Sequence, residues 1–341
     1  MKNKNSGKKL NKTRLCIVVA MICVTIAIVC GFGFGYVDPK LSKPLDVDDF
    51  YSTWMSSIDD STTINQVVMP GSHDSGCNGM MAQAMTQGHD IADQLRGGVR
   101  YFDTRVALKK DELVIFHGPI KGQSFDKVLT EHREFMDKNP SEFIVFDFQH
   151  FAGDSQSKVV DMIKSKLDMS KMLDRSKYPD VSQVDFATLR VNNINFMIVW
   201  SARSASDKQM AQDNNFYIRD DSLLSQYDGD VHRDSDEALI AQFDRYYDSY
   251  EADKMFVLQA QRTASTFFGK PSTYEKKFKS KVNEYVKNIA KDKVTLAKTN
   301  IIMRDFVVSD MDNVRLILGL NLHKNTVALE QIESFKKYVI Y

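Results

Sequence analysis

Short apolar runs recur along the chain at fairly even intervals, separated by polar segments. Each run is continuous rather than alternating and is rich in Val, Ile and Phe, which is typical of strands covered on both faces. The pattern predicts eight strands, at residues 64–69, 99–106, 113–118, 143–148, 195–200, 216–220, 255–261 and 300–306.

Helical patterns separate several of these runs. In the segment SFDKVLTEHREFMDKNP, Ser124 is a predicted N-cap, apolar residues follow near helical spacing, and Pro140 lies beyond the end. The segment STYEKKFKSKVNEYVKNIAKD shows the same pattern before the last run. Strands that alternate with helices indicate right-handed crossovers and a parallel sheet. Eight strands in about 300 residues favour a (β/α)8 barrel of the TIM type over an open sheet.

The N-terminal segment has a different pattern. Residues 1–14 contain six Lys or Arg and no acid, and residues 15–36 contain no charged side chain. At about 1.5 Å per residue, a helix over residues 15–36 crosses the ~30 Å hydrocarbon core of a bilayer. The run exceeds the roughly 7–15 apolar residues of a signal peptide, and no clear small-residue cleavage motif follows it. We therefore expect an uncleaved transmembrane helix. The alternative is a cleaved signal and a secreted protein.

The basic flank predicts the orientation of this helix, with the N-terminus inside and the residues after Tyr36 outside. The sequence thus divides into a cytoplasmic tail (residues 1–14), a membrane anchor (15–36), a linker (37–50) and an extracytoplasmic domain (51–341). This division places the membrane-anchored domain beside the lipid surface.

The balance of charges argues against nucleic acid as a partner. Lys plus Arg and Asp plus Glu number 45 each, so the formal net charge is zero, and the basic excess of a nucleic-acid-binding protein is absent. Cys77 is the only cysteine outside the predicted membrane anchor, which leaves it no intramolecular disulfide partner. The sequence does not determine the oligomeric state, and we expect a monomer.

Side chains that transfer protons or bind anions lie at or just beyond the ends of four predicted strands. They are His73 and Asp74, Asp103 and Arg105, His117, and Asp305. Active-site groups of a parallel barrel collect at the carboxyl ends of its strands. A single histidine at such an end is more often structural. Two acid/base groups with a fixed cation, however, are what phosphoryl transfer to an internal hydroxyl requires.

Four segments in this order, VVMPGSHDSG, LRGGVRYFDTRV, LVIFHGPI and NPSEFIVFDF, resemble the X-box of phosphatidylinositol-specific phospholipase C in its small bacterial form. The resemblance covers residues 64–148 and returns at NIIMRDFV. It implies a distorted (β/α)8 barrel that cleaves the phosphodiester of phosphatidylinositol or of GPI anchors. The implied products are diacylglycerol and inositol 1,2-cyclic phosphate.

The resemblance also implies a role for each of five residues. His73 matches the general base that deprotonates the inositol 2-hydroxyl, and Asp305 matches the carboxylate that orients this base. His117 matches the general acid for the glycerol oxygen, and Asp74 matches its carboxylate partner. Arg105 matches the phosphate-binding arginine, with Asp103 in a supporting role beside the substrate.

Arg105 also bears on the question of a metal. Calcium-dependent members of the family pair His with Asn in the first loop and place acidic ligands on the second strand, and calcium needs several hard oxygens. Here the first loop reads His73-Asp74, and Arg105 supplies a fixed positive charge. We therefore expect no metal and no other cofactor.

The head-group pocket departs from the family pattern. The resemblance implies an arginine after the fifth strand, where VWSARSA offers Arg203, and an acid after the sixth, where YIRDD offers Asp220 or Asp221. Gln149 and His150 stand where the family has a lysine. These changes bear on the choice of head group more than on the chemistry.

Two adjacent aromatics, Phe267 and Phe268, lie in the loop after the seventh strand. They either cover the barrel core or contact the membrane at the rim of the site.

Two alternatives to phosphatidylinositol cleavage also remain, with the same fold. The chain would act on a different inositol lipid or glycerophosphodiester, or it would bind lipid head groups without turnover.

Overall fold

The structure is a computed structural model that describes residues 44–266 and 268–341. The predicted tail and membrane anchor (residues 1–36), the linker residues before 44, and Phe267 lie outside the described residues. Across the residues that the structure describes, no helix has the length and apolar character needed to cross a membrane. The described residues belong to one compact unit, Tyr36–Tyr341.

Ten strands form one sheet in this part of the chain. They are β1 (Met69–Ser72), β2 (Tyr101–Lys109), β3 (Glu112–His117), β4 (Ile120–Ser124), β5 (Ile144–Ala152), β6 (Phe196–Trp200), β7 (Tyr217–Ile218), β8 (Leu223–Ser225), β9 (Met255–Gln259) and β10 (Ile301–Arg304). Eight of them are parallel, in the order β7-β6-β5-β2-β1-β10-β9-β8. Strands β3 and β4 form an antiparallel hairpin that extends from β2.

Most neighbouring parallel strands are also consecutive parallel strands along the chain. The exception is the pairing of β1 with β10, the first strand with the last, which curls the sheet toward a barrel. Within the described residues no ladder joins β7 to β8, which leaves the sheet open at that seam. The prediction of a parallel sheet with alternating helices is therefore confirmed. Ladder closure into a complete barrel is not seen among these strands.

Helices precede, connect and follow the strands. They are α1 (Phe50–Thr53), α2 (Ile91–Arg96), α3 (Phe125–Lys138), α4 (Gln156–Lys166), α5 (Phe186–Val191), α6 (Ala205–Asp213), α7 (Arg219–Ser222), α8 (Gly229–Arg233), α9 (Asp236–Asp248), α10 (Pro271–Ile289), α11 (Lys293–Lys298), α12 (Met311–Lys324) and α13 (Ile332–Phe335). The predicted N-cap is confirmed, because Ser124 accepts a hydrogen bond from the Lys127 amide at 3.2 Å. Such caps satisfy amides that a helix N-terminus otherwise leaves unpaired.

One predicted strand has the wrong direction, and one parallel strand was missed. The run at residues 113–118 belongs to β3, which pairs antiparallel with the far end of β2, with Val106 opposite Ile115. A continuous apolar run does not reveal the direction of its partner. The eighth parallel strand is instead β8, whose three residues are too short to produce a periodic signal.

The first strand also starts later than the predicted 64–69. Strand β1 begins at Met69 and contains Pro70 and Gly71. A Cβ on Gly71 would lie 3.0 Å from side-chain atoms of Tyr101 and of Ile301, so only glycine fits where three strands meet. The apolar residues before Met69 are held by side-chain amides instead: Asn300 donates to the Ile64 carbonyl at 3.0 Å.

A buried arginine ties the N-terminal residues of the unit to the bottom of the sheet. Arg100 directly precedes β2, is fully buried, and donates to Glu142 at 2.6 and 2.9 Å. It also donates to the carbonyls of Tyr51 and Ser52 in α1 at 3.0 Å. A buried guanidinium satisfied in this way fixes the elements around it, because removing one partner leaves an uncompensated charge.

Candidate active site

Five of the predicted catalytic side chains line one cavity of about 830 Å³ at the carboxyl ends of the strands: His73, Asp74, Arg105, His117 and Asp305. His73 and Asp74 follow β1, Arg105 lies in β2, and Asp305 follows β10. The β10-β1-β2 order of the sheet brings these three strand ends together. The structure therefore brings the five residues together at one cavity.

The ring of His73 is oriented by Asp305. Its Nδ1 lies 2.7 Å from Oδ1 of Asp305, while its Nε2 lies 3.6 Å from Asp74 and 4.0 Å from Asp103. The backbone is fixed as well, because Gln87 donates to the His73 carbonyl at 2.9 Å. A carboxylate acceptor at Nδ1 keeps the proton there, so Nε2 is the atom that exchanges protons.

Three carboxylates control the charge of this ring. Burial lowers the pKa of His73, but the carboxylates of Asp74, Asp305 and Asp103 outweigh burial and raise the pKa to about 9. The pKa of Asp305 is itself raised by burial, an effect that His73 partly offsets. In the free protein His73 is therefore mostly an imidazolium at neutral pH.

Asp74 lies at the centre of the site. Its side chain is buried, one oxygen contacts Nε of Arg105, and the other lies 3.6 and 3.7 Å from Nε2 of His73 and of His117. Burial raises the pKa of Asp74, but Arg105 and the two histidines outweigh it and lower the pKa. Asp74 has φ of 43°, a left-handed backbone that is uncommon for a residue other than glycine and clusters at functional sites.

His117 reaches the cavity by a different route from the one predicted. It ends β3 of the antiparallel hairpin, and the chain turns sharply at Gly118, whose φ is 55°. The Nδ1 of His117 lies 2.9 Å from the carbonyl oxygen of Ala84. Because a carbonyl only accepts, Nδ1 carries the proton, and Nε2 faces Asp74 and the cavity.

Asp103 lies behind the cavity wall. It is fully buried, accepts from the Asp74 amide at 3.2 Å, and is absent from the residues that line the cavity. Burial raises the pKa of Asp103 to about 7, with Arg105 acting in the opposite direction. The prediction that Asp103 lies beside the substrate is therefore wrong. Asp103 instead contacts the Asp74 amide behind the cavity wall and lies 4.0 Å from Nε2 of His73.

Among the described residues, one group of side chains is arranged so that it could hold a cation: His73, Asp74 and Asp103. Ligand atoms of His73, Asp74 and Asp103 all lie within 4.8 Å of one another. Arg105 already contacts Asp74 and supplies positive charge at this point. Metal independence stays a prediction, based on this guanidinium.

The predicted head-group residues lie on the far side of the cavity. Arg203 is exposed and donates to Nδ1 of His150 at 2.7 Å. Asp220 lies in α7 and lines the cavity, whereas Asp221 is not among the lining residues. The structure thus distinguishes between the two acids that the sequence offers.

A network around Asp147 was not anticipated. This fully buried carboxylate accepts from the Tyr101 hydroxyl at 2.5 Å, from Gln149 at 3.1 Å, and from Nε of Arg219 at 3.1 Å to both oxygens. Arg219 lines the cavity from the end of β7. The available signal was Asp147 itself, an acid inside the apolar run FIVFDF that requires a buried partner.

At the rim, Phe268 is 79% exposed and lines the mouth of the cavity, so it does not cover the barrel core. Its neighbour Phe267 lies outside the described residues. Contact of this pair with the membrane stays a prediction.

Comparisons with known proteins agree with this geometry. Residues 61–191 match the family model described as phosphatidylinositol-specific phospholipase C, X domain. A 1-phosphatidylinositol phosphodiesterase of Listeria monocytogenes is 27% identical over 280 residues, which cover 77% of this chain and 84% of that protein. One from Staphylococcus aureus is 28% identical over 152 residues, covering 42% of this chain and 44% of that protein.

Solved structures show the same fold. The phosphatidylinositol-specific phospholipase C from Listeria monocytogenes superimposes with a TM-score of 0.57 at 22% identity, covering 80% of this chain and 98% of that one. A variant of the Staphylococcus aureus enzyme gives 0.57 at 15% identity, covering 83% and 100%. Residues 61–191 are therefore similar to the X domain of phosphatidylinositol-specific phospholipase C, and the chain shares the fold of these two bacterial enzymes.

Proposed function

We propose that this chain, as a distorted (β/α)8 barrel, cleaves the phosphodiester of phosphatidylinositol or of a GPI anchor by attack of the inositol 2-hydroxyl. One observation carries the proposal. The Nε2 atoms of His73 and His117 lie 3.6 and 3.7 Å from one oxygen of Asp74, whose other oxygen contacts Arg105. Two proton-transfer groups thus flank a fixed cation within one cavity, as an internal phosphoryl transfer requires.

In this mechanism His73 is the base. When its ring is neutral, Asp305 keeps the proton on Nδ1, and the lone pair of Nε2 faces the cavity. Nε2 accepts the proton of the 2-hydroxyl while the hydroxyl oxygen forms a bond to phosphorus. The carboxylates that raise the pKa of His73 to about 9 make the ring a strong base and stabilise the imidazolium it becomes.

His117 is the acid. Its Nδ1 proton is committed to the Ala84 carbonyl, so the proton it transfers is carried on Nε2. This proton goes to the glycerol oxygen as the phosphorus–oxygen bond breaks, which releases diacylglycerol and leaves inositol 1,2-cyclic phosphate. Arg105 holds the phosphoryl oxygens through nitrogens other than the Nε that contacts Asp74.

The protonation state of His73 determines the pH dependence of the base step. With a pKa of about 9, His73 is neutral in only on the order of one per cent of the free protein at pH 7. The neutral fraction rises about tenfold per pH unit below that pKa. We therefore expect kcat/KM to rise with pH below about 9 as His73 loses its proton.

A binding protein without turnover is a weaker candidate. Recognition of a head group needs cations and hydrogen-bond donors. It does not need two histidines whose Nε2 atoms face the cavity, one held by Asp305 and the other by the Ala84 carbonyl. A different inositol lipid or glycerophosphodiester is the stronger alternative. Gln149 and His150 near Arg203 give this cavity its own set of head-group contacts.

The location of the enzyme is proposed on sequence grounds. We propose that residues 15–36 anchor the chain and that the catalytic unit is extracytoplasmic; secretion after cleavage is the alternative. The exposed Phe268 at the rim supports contact of the cavity mouth with the lipid surface. Membrane fractionation after a carbonate wash, with protease added to intact cells, distinguishes an anchored external domain from a soluble one.

Phosphorus NMR of the full chain with phosphatidylinositol in mixed micelles and excess chelator tests the reaction. The expected result is a cyclic inositol phosphate signal, lost in His73→Gln and His117→Gln. The matched control is Arg245→Gln, an exposed arginine on α9 outside the cavity lining, which should retain full activity. Binding without any phosphorus product would refute cleavage, and a linear phosphate as the first product would refute attack by the 2-hydroxyl.

A further inference from the structure

We propose that Thr86 and Gln87 are positioning residues, which hold His73 and Asp305 at the distance that the base requires. The inference rests on the proposed function, because it concerns the base of that reaction and the carboxylate that orients it. Gln87 does not line the cavity, so it acts through the main chain on either side of the two residues. The pair is called the 86–87 bridge below, because its hydrogen bonds join the loop after β1 to the loop after β10.

The bridge begins where these two strands end. At the end of the β1–β10 ladder, the His73 amide donates to the Arg304 carbonyl at 3.1 Å. The side chain of Gln87 continues this pairing. Its Nε2 donates to the His73 carbonyl at 2.9 Å and to the Arg304 carbonyl at 3.1 Å, and its Oε1 accepts from the Val307 amide at 3.2 Å. Because a carbonyl only accepts and an amide N–H only donates, these contacts fix the orientation of the Gln87 side chain.

The turns that follow the two residues share an unusual backbone conformation. Asp74, directly after His73, has φ of 43°, and Phe306, directly after Asp305, has φ of 48°. Left-handed backbone is uncommon outside glycine, above all for a bulky residue, and persists only where surrounding contacts hold it. Thr86 contacts both turns: its hydroxyl donates to the Asp74 carbonyl at 3.0 Å, and its carbonyl accepts from the Phe306 amide at 2.7 Å. The bridge therefore holds both turns in place.

Burial makes the 86–87 bridge a fixed support. Thr86 and Gln87 are each 1% exposed. Their own amides donate to the Cys77 carbonyl at 3.1 and 3.4 Å, and the Cys77 amide donates to the Asp74 carbonyl at 2.8 Å. A buried amide or carbonyl that loses its partner carries the full cost of desolvation. We therefore expect the strand ends to move when a bridge contact is removed, because movement lets the main chain regain hydrogen bonds.

The distance that the bridge controls is the one between the base and its carboxylate. Nδ1 of His73 lies 2.7 Å from Oδ1 of Asp305, and both side chains begin at main chain that the bridge holds. A misplacement of about 1 Å at a reacting group can reduce a rate about 10²-fold. The predicted head-group residues lie on the far side of the cavity. Loss of the bridge should therefore reduce kcat more than it changes KM.

The first test is a titration of His73 in Gln87→Met, which keeps the length of the side chain and removes its three hydrogen bonds. Proton NMR of the imidazole Cε1–H gives the midpoint, and the His73 signal is the one missing in His73→Gln. Asp305 raises the pKa of His73, so a longer distance between them should lower the midpoint, by about 1 unit. This measurement needs no substrate.

Asn321→Leu is the matched control. Asn321 is fully buried, and its side chain bonds the Val68 amide and carbonyl at 2.8 and 2.7 Å, just before β1 and at the opposite end of that strand from His73. This variant should lower the urea midpoint of unfolding, as Gln87→Met does, because both remove buried hydrogen bonds. The His73 titration should stay at its wild-type midpoint in Asn321→Leu.

The second test measures turnover of phosphatidylinositol in mixed micelles by the full chain. The titration supplies the neutral fraction of His73 in each variant, and kcat/KM is corrected for it. We expect the corrected value to fall about 10²-fold in Gln87→Met, with the loss in kcat rather than in KM. Asn321→Leu should retain the wild-type value.

Thr86→Val is a milder variant that keeps the proposal testable if Gln87→Met does not fold. Valine has nearly the shape of threonine but lacks the hydroxyl, so the bond to the Asp74 carbonyl is lost. The His73 midpoint and the corrected kcat/KM should both fall, by less than in Gln87→Met. Thr86→Ser keeps the hydroxyl and should restore both.

A wild-type His73 midpoint in Gln87→Met and in Thr86→Val would overturn the proposal, whatever the activity of these variants. Equal losses of corrected kcat/KM in Gln87→Met and Asn321→Leu would also overturn it, because the effect would then be one of stability alone. A lower midpoint in Gln87→Met, in a chain that does not cleave phosphatidylinositol, would refute the proposed reaction and leave the bridge standing.

Discussion

Replacing Asp305 with asparagine should lower the pKa of the His73 imidazole by about 1–3 units. Asparagine keeps an oxygen that can accept from Nδ1, so the ring retains its orientation while the negative charge disappears. Asp305 is the nearest of the three carboxylates around the ring, at 2.7 Å, against 3.6 Å for Asp74 and 4.0 Å for Asp103. The substitution therefore removes the charge of the carboxylate nearest to the ring, one of the three that stabilise the imidazolium.

The magnitude follows from the shift in the intact site. A rise in the pKa of His73 from 6.5 to about 9 corresponds to about 3 kcal/mol of net preference for the charged ring. Burial opposes this preference, so the carboxylates together contribute more than the net value. A single charge pair at 4 Å contributes up to about 4 kcal/mol at an effective dielectric constant near 20. Asp305 alone can therefore account for between a third and all of the net shift.

Proton NMR titration of the imidazole Cε1–H signals measures the effect directly. The chain has seven histidines, and the His73 signal is identified by its absence in His73→Gln. We expect the midpoint to move from about 9 in the wild type to about 6–8 in Asp305→Asn. Activity alone is a poor readout, because a lower pKa increases the neutral fraction at pH 7 while it weakens the base.

Asp312→Asn is the matched control, since this exposed carboxylate pairs with Arg315 on the surface of α12 and should leave His73 unchanged. A His73 midpoint in Asp305→Asn within about half a unit of the wild type would refute the reasoning. In that case Asp74 and Asp103 would hold the proton on His73, and Asp305 would only orient the ring.

Three further predictions concern the other groups. His117→Ala should reduce kcat/KM for phosphatidylinositol by about 10²–10⁴, and by much less for an inositol phosphodiester with a nitrophenolate leaving group, which needs no acid; equal losses on both substrates would remove His117 from the acid step. Activity should survive excess chelator because Arg105 supplies the positive charge, and a loss that calcium restores would contradict this. Arg100→Met should lower the free energy of unfolding by about 3–5 kcal/mol, measured by urea denaturation, because Glu142 is left as an unpaired buried charge; a smaller loss in the double variant Arg100→Met with Glu142→Leu is the matched comparison.

The chemistry at the strand ends could be predicted because it is local. His73 and Asp305 each follow a strand directly, and a parallel sheet brings its carboxyl ends to one edge. This rule required no knowledge of which strands are neighbours. It succeeded for His73, Asp74, Arg105 and Asp305, which all line the cavity.

His117 was identified for a reason that the structure does not support. The residue was expected at the end of a barrel strand, but it ends the antiparallel strand β3 and is brought over the cavity by the turn at Gly118. Strand direction depends on the partner, and the run of four apolar residues at 113–116 looks alike in both settings. The position of His117 depends on the hairpin and on the Ala84 carbonyl, which are not part of the barrel pattern.

Arg219 was missed because its importance depends on a contact that is distant in the chain. The sequence YIRDD draws attention to its two acids, and only the pairing of Arg219 with Asp147, 72 residues earlier, shows which way the arginine points. Asp103 was misplaced for a related reason. Side chains alternate between the two faces of a strand, and periodicity alone does not state how far each lies from the open end.

The two proton-transfer groups are therefore held by separate parts of the fold. His73 is held by β1, Asp305 and the carbonyl contact from Gln87, whereas His117 is held by the β3–β4 hairpin and Ala84. What connects them is Asp74, which lies between both rings and the Arg105 guanidinium. Its left-handed backbone turns the carboxylate into this position directly after His73, and the Asp103 acceptor holds the Asp74 amide in place. The left-handed backbone at Asp74 thus places one carboxylate between the three groups to which the proposed mechanism assigns the roles of base, acid and phosphate-binding cation.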